Sequence, residues 1–309
     1  MLRLYVFITL SLFIHLSSSA CDVCGCRLGG LSYGILPQHY QHMVGLKYSY
    51  AHFRAEMEHN SEYFSDEYSD DTYQRMDLIG RITLLPKLQL NVQLPYLINE
   101  MDGTHQKVSS NGIGDPVLMM YYTPFNTGES ANTWRHSFLL GGGVKLPLGD
   151  FDKEDGGVII NRNFQLGSGS LDYLLTANYT LSVDDWGLNV ESSYKMNVAN
   201  SQGYRFGNQF NVSGYAFCYL ESATFGFLPF AGAYFETSGQ HRDAKAIQVN
   251  TGGNALFATL GTQIYYRQLN LMLDYQHPIS QNYHSDDVAT ITAANRFSIG
   301  LIYSIGKTD

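Results

Sequence analysis

Three cysteines stand within six residues near the start of the chain, as Cys21-x-x-Cys24-x-Cys26. Thiolates at this spacing suit a soft ion such as Cu(I) or Zn(II), and His39, His42 and Met43 follow closely enough to add ligands. The pattern leaves a fourth ligand open. Two other chemistries use the same residues. One is a disulfide with a thiol left over, which an oxidising compartment permits. The other is lipidation of Cys21 beside a Cys24–Cys26 pair. No other pattern in the chain requires a cofactor. The fourth cysteine, Cys218, keeps phase with Phe210, Val212 and Leu220 and reads as a lipid-facing or packed thiol.

A second set of chemistry-bearing residues is spread along the chain in one polar phase: Lys47, Asp77, Arg81, Gln93, Lys145, Glu191, Lys195 and Asp274, with Gln89, Asn91, Gln209, Gln263 and Gln276. Facing the inside of a closed sheet, they would line a lumen carrying both signs of charge. That fits a polar network filling the interior, or a narrow path for a small solute. Met120, Tyr122, Phe217 and Tyr219, read in the inward phase, would favour an aromatic or apolar compound. His52, His136 and His277 have Ser49, Ser137 and Ser280 nearby, the residue types of a lipase on a barrel's outer wall. No Gly-x-Ser-x-Gly or His-Glu-x-x-His motif accompanies them. The chain therefore reads as a protein that is not an enzyme.

Placing these residues requires a scaffold. The sequence has 309 residues, of which 15% are charged and 14% aromatic, with 30 Gly, 23 Tyr and 2 Trp. Ordinary soluble domains carry about 25% charge. The apolar residues are diluted here by Asn, Gln, Ser, Thr and Gly rather than by charge. Abundant Tyr, Phe, Leu and Ile argue against disorder. Beyond residue 20 no apolar run approaches the ~18 residues of a membrane helix. The net charge of −9 argues against a nucleic-acid partner. A Tyr- and Gly-rich β-protein remains, of the composition expected of a barrel with lipid outside and water inside.

Residues 1–20 read as a secretory signal peptide: Arg3, an apolar core from Leu4 to Leu16, then Ser18-x-Ala20 as a cleavage site. Residues 21–42 then form a periplasmic, Cys-rich N-terminal segment, and 43–309 form the barrel. From residue 43 on, the hydropathy alternates with period two in twelve segments: 43–57, 72–84, 88–100, 115–125, 134–147, 170–183, 186–197, 206–220, 223–237, 254–266, 269–280 and 295–305. In the seventh, Trp186, Leu188, Val190, Tyr194 and Met196 oppose Gly187, Asn189, Glu191, Ser193, Lys195 and Asn197. A soluble sandwich shares that period. The connections separate the two folds, because long gaps (58–71, 101–114, 148–169, 238–253, 281–294) alternate with shorter or tight ones such as Leu85-Pro86-Lys87, Asp184-Asp185 and Glu221-Ser222. Up-and-down membrane barrels alternate in this way, with short periplasmic turns and long outer loops. An even strand number would leave both termini in the periplasm. The long loops would carry acidic residues outward, among them Glu62, Asp66, Glu67, Asp70, Asp71, Asp150, Asp152, Glu154 and Asp155, mainly to keep that surface solvated.

Four short motifs mark strand ends in order: Val92-Gln93-Leu94-Pro95-Tyr96, Asn111-Gly112-Ile113-Gly114-Asp115, Gly143-Val144-Lys145-Leu146-Pro147-Leu148-Gly149-Asp150 and Gln165-Leu166-Gly167-Ser168-Gly169-Ser170. In these the chain resembles a family of bacterial outer-membrane barrels grouped with the phenol-degradation meta-pathway proteins. Its start, with the Cys21–Cys26 cluster, resembles a Bacteroidota branch of such barrels. The resemblance implies a transporter-like barrel in the outer membrane of a Gram-negative bacterium, with membrane lipid and a small solute as partners. The expectation is an all-β, up-and-down antiparallel transmembrane barrel of about twelve strands. It would act as a porin-like channel for a small solute or, alternatively, as a non-transporting barrel whose CxxCxC segment binds a soft metal or a partner.

Overall fold

The computed structural model describes residues 34–35, 42–57, 67–104, 106–127, 134–283 and 289–306. The expected signal peptide, Cys21, Cys24, Cys26 and His39 lie outside them. Twelve strands build the wall: β1 (His42–Met57), β2 (Glu67–Leu85), β3 (Leu88–Gly103), β4 (Val117–Asn126), β5 (Trp134–Lys145), β6 (Asp172–Val183), β7 (Trp186–Met196), β8 (Gln209–Cys218), β9 (Phe225–Ser238), β10 (Gly253–Tyr266), β11 (Leu269–Tyr283) and β12 (Arg296–Ile305). Each pairs antiparallel with its neighbour in sequence. The sheet closes where His42–Tyr50 of β1 pair with Ile305–Phe297 of β12. Closure removes the free edge that lipid could not satisfy. The twelve alternating segments of the sequence thus map one to one onto the wall.

Alternation sets the inside and the outside. In β12, Arg296, Ser298, Gly300 and Ile302 are buried while Phe297, Ile299, Leu301 and Tyr303 are exposed. In β2, Asp77 and Ile79 are buried and Met76, Leu78, Ile82 and Leu84 are exposed. The outward residues form an apolar band between two aromatic rows. Phe125, Trp134, Trp186, Phe225 and Tyr303 stand near one rim; Tyr96, Tyr173, Tyr194, Phe210, Tyr275 and Phe297 stand further along the strands. A soluble surface does not carry a continuous apolar belt of this size, whereas an outer-membrane barrel needs one. One inferred phase was wrong. Met120 and Tyr122 face outward, 47% and 49% exposed, whereas Met119 and Tyr121 face inward. The run Leu118–Tyr122 is apolar on both faces, so hydropathy does not fix its phase.

The long connections (58–66, 104–116, 146–171, 197–208, 239–252 and 284–295) share one rim, and the shorter ones share the other with His42 and Ile305. The two-residue turns place Asp184 and Arg267 at φ 50° and 52°, as the right-handed strand twist requires of a tight hairpin. Strand β2 begins earlier than its acidic composition suggested, so Glu67, Asp70 and Asp71 belong to it rather than to a loop. Asp71 is fully buried and accepts from Ser69 Oγ. At 19 residues β2 exceeds the ~9–11 needed to cross a bilayer. Its loop-side half, with that of β1, carries Arg54 within 2.6 Å of Glu56 and 3.7 Å of Asp70 on the outer face.

Two loop regions fold back over this rim. A 3₁₀ turn, Arg162–Phe164, starts where the Asn161 side chain accepts from Asn163 N–H at 2.9 Å. It drives Phe164 into the barrel mouth, fully buried and stacked on Tyr73 at 5.2 Å. Elsewhere Tyr204–Arg205, Arg242–Asp243 and Ala246–Ile247 make a small sheet around His241. His241 Nδ1 meets Tyr204 OH at 2.9 Å, and Phe206 packs at 4.9 Å. Burial, with the Lys195 charge adding to it, lowers the His241 pKa from 6.5 to about 4. A group depressed in this way binds its proton more readily unfolded than folded. Stability is therefore full above the unfolded value and falls as pH drops from about 6.5 toward 4, by about 3 kcal/mol at the bottom. We expect these two loops to become protease-sensitive near pH 4 while the barrel wall persists. In His241→Phe the sensitivity should no longer depend on pH across that window, as limited proteolysis would read.

Candidate functional site

The interior is the candidate site, and it is built in layers. Nearest the loop rim, the four motifs meet. Strand β5 ends at Lys145, and its pairing partners in β4 and β6 are Val117 and Asp172. Lys145 Nζ lies 2.6 Å from Asp115 Oδ2 and 2.9 Å from Asp172 Oδ2, and donates to Ser168 Oγ. All three charged side chains are at most 2% exposed. Asp115 also accepts from Gly149 N–H at 2.9 Å and from Ser168 N–H at 2.8 Å. Asp172 accepts from Ser170 Oγ at 2.8 Å and from Val198 N–H at 3.0 Å. Three motifs therefore interlock around one ammonium, which holds Asp115, Ser168 and Asp172, and the fourth joins them where Gly114 N–H donates to the Pro95 carbonyl at 2.8 Å.

Deeper in, a stack of rings continues from Phe164 through Tyr73 to Phe53, edge-on at 5.8 Å. Arg296 closes it, its guanidinium 5.2 Å from the Phe53 ring centre and 4.1 Å from that of Phe257. Glu236 grips the same guanidinium with two bonds, 3.0 Å to Nη1 and 2.8 Å to Nη2. Both are almost fully buried. A forked carboxylate on the edge and aromatic faces beside it are the contacts arginine makes best.

Beyond this layer the lumen opens into a partly open chamber of about 80 Å³. Lys47 of β1, Asp274 and Gln276 of β11 and Glu191 of β7 line it, and Tyr215, Phe230 and Tyr234 supply ring surface. Because Glu236 neutralises Arg296, the remaining charges facing it are Lys47 against Glu191 and Asp274. Glu191 accepts from Asn178 Nδ2 at 3.1 Å, and Asp274 accepts from Ser298 Oγ. Toward the tight-turn rim, Ile35 of the N-terminal segment is 4% exposed and packs with Phe217, Leu228 and Phe230. Asn189 Nδ2 donates to its carbonyl at 3.3 Å. The wall is shaped for these rings: a methyl added to Gly187 or Gly261 would sit 2.2 Å from Phe217 or Phe230. Phe217 and the half-buried Tyr219 therefore face inward as the sequence suggested.

Of the residues inferred to line the lumen, Lys47, Glu191 and Asp274 meet at the chamber. Asp77 is held by Arg75 Nε at 2.8 Å, and Arg81 Nε donates to Asn91 at 3.2 Å, both on the β2–β3 wall. Gln93 is buried on the same wall, and Lys195 pairs in register with Gln209 near the loop rim. Lys145 serves the motif junction instead. His42 is exposed at the start of β1, its Nδ1 accepting from Thr83 N–H at 3.2 Å. Among the described residues no three His, Cys, Asp or Glu side chains are grouped to hold a metal. Ser49 and Ser137 are buried inside, in the opposite phase to His52 and His136. His136 bonds Tyr179 OH at 2.7 Å and His277 bonds Asn295 at 2.8 Å. Sequence reasoning missed Asp172, Glu236, Arg296, Ile35 and Phe164. Asp115 and Ser168 had been marked only as motif letters.

A family model described as "Putative MetA-pathway of phenol degradation" matches residues 47–265. Among solved structures, the outer membrane channel from Pseudomonas putida F1 superposes with a TM-score of 0.63 at 12% identity, covering 90% of this chain and 100% of that one. The β domain of the Bordetella autotransporter BrkA reaches 0.44 at 10% identity, over 85% and 99%. A Pseudomonas aeruginosa FadL homologue reaches 0.43 at 8% identity, over 85% and 90%. No curated protein sequence matches the chain.

Proposed function

The chain belongs to the family described as "Putative MetA-pathway of phenol degradation", and from that premise we propose that it carries a small aromatic or apolar solute across the outer membrane through its interior. The carrying observation is the chamber, where the rings of Tyr215, Phe230 and Tyr234 supply apolar surface among polar and charged side chains, inside a closed, lipid-embedded wall. Concave sites that combine aromatic surface with placed polar groups are the usual form of small-molecule sites. On this reading the long loops face the exterior, and both termini lie in the periplasm on the tight-turn side. Liposomes containing the purified protein should take up a small aromatic faster than empty liposomes. Equal rates would overturn the proposal.

A second reading is favoured by the packing of Ile35 and Phe164 into the lumen: a filled barrel that transports nothing and displays its N-terminal segment. Cys21, Cys24 and Cys26, with His39 or His42, would then bind a soft metal or a partner. Removing residues 21–38 separates the two. A gain in permeability supports the channel, and an unchanged, closed barrel supports the display role. Metal retained by reduced protein, and lost in Cys24→Ser, would establish the metal.

A further inference from the structure

The chamber wall carries a buried amide donor that no protein group uses. Gln263 of β10 is 0% exposed and lines the chamber, and its Nε2 has no hydrogen-bond partner, while its Oε1 accepts from Tyr265 OH. A buried amide N–H left unpaired costs free energy, so its retention at a cavity wall points to a ligand atom. That atom must be an acceptor. Gln263 pairs in register with Met272, two residues from Asp274 on the same inward face. The two side chains are therefore diagonal neighbours across adjacent strands, about 7–8 Å apart at the backbone. Asp274, whose Oδ1 accepts from Ser298 Oγ, is an acceptor when ionised and asks for a donor.

We propose that Gln263 and Asp274 form a hydroxyl-recognition subsite: Gln263 Nε2 donates to the oxygen of a ring-bearing solute, and that hydroxyl donates to Asp274. A hydroxyl is the small group that satisfies both at one atom. An ether or carbonyl would leave Asp274 unused, an ammonium would leave Gln263 unused, and a bare hydrocarbon would leave both. The rings of Phe230, on the strand next to Gln263, and Tyr215, 5.3 Å apart, line the same chamber to receive the apolar body. The subsite rests on the reading of the lumen as a solute path, and it adds that the path discriminates between a phenol and a hydrocarbon of the same size.

The test uses full-length protein in detergent or nanodiscs, with phenol, anisole and toluene as probes and calorimetric binding as readout. Phenol is expected to bind at least about tenfold more tightly than anisole, in line with the selectivity of sites built to bond a hydroxyl. In Gln263→Leu that ratio should fall toward one while toluene binding is kept. Asp274→Asn, which keeps an acceptor, should retain part of the preference. Equal binding of phenol and anisole to the wild type, or an unchanged ratio in Gln263→Leu, would overturn the subsite. Liposome flux separates this outcome from failure of the transport reading. Toluene flux without phenol preference sinks the subsite alone, and phenol preference in binding without any flux sinks transport alone.

Discussion

Lys145→Met is expected to destabilise the barrel by about 3–5 kcal/mol, the range found when one partner of a buried ion pair is removed. The reason lies in what the substitution leaves behind. Asp115 and Asp172 would remain buried with their carboxylates facing one another, and the ammonium that links them would be gone. Three backbone N–H donors, from Gly149, Ser168 and Val198, still bond these carboxylates. They hold the loops to the carboxylates but do not neutralise the second charge. The expected signature is a lower urea midpoint in detergent, with early proteolysis in 146–171. Triple replacement, Lys145→Met with Asp115→Asn and Asp172→Asn, removes the charge imbalance and should recover much of the loss. A single variant that unfolds at the wild-type midpoint would show that the junction is solvated and that the motifs are conformational only.

This junction also shows what a sequence can disclose. The twelve strands were legible because lipid outside and a polar lumen inside impose period two on each segment, and closure leaves no strand exempt. The failures have local causes. Met120 and Tyr122 were placed inward because apolar residues occupy both faces of β4. The β2 start was missed because Asp70 and Asp71 look like loop residues, yet Asp71 is buried against Ser69. Lys47, Glu191 and Asp274 were placed in the lumen because phase alone decides that. Period two says which side a residue faces, but not which of twelve strands lies across from it. Arg296–Glu236 spans 60 positions in sequence and Asn189–Ile35 spans 154, so neither pairing carries any local signal.

That pair supports the second large expectation. Glu236→Gln should cost about 3–5 kcal/mol, because it strips the forked partner from a guanidinium that has little access to water. Phe257 and Phe53 will still hold the cation by their faces, at 4.1 and 5.2 Å, so the side chain should stay in the lumen rather than swing away. The uncompensated Arg296 charge offsets the excess of negative charge left by Lys47 against Glu191 and Asp274, and any ion leak through the barrel should lose its preference for cations. Arg296→Met alone leaves the opposite charge and should shift the leak toward cations. Combining the two gives a neutral layer of similar volume, and its stability should lie above either single variant, with a coupling of about 2 kcal/mol or more in the double-mutant cycle. Simple additivity of the singles would mean that water already screens the pair. The neutral variant also reports on transport. If the charged layer is a polar barrier that an apolar solute must pass, toluene entry into liposomes should quicken when the layer is made neutral. If Arg296 and Glu236 instead hold the ring stack in place, entry should slow or become unselective while the barrel remains folded.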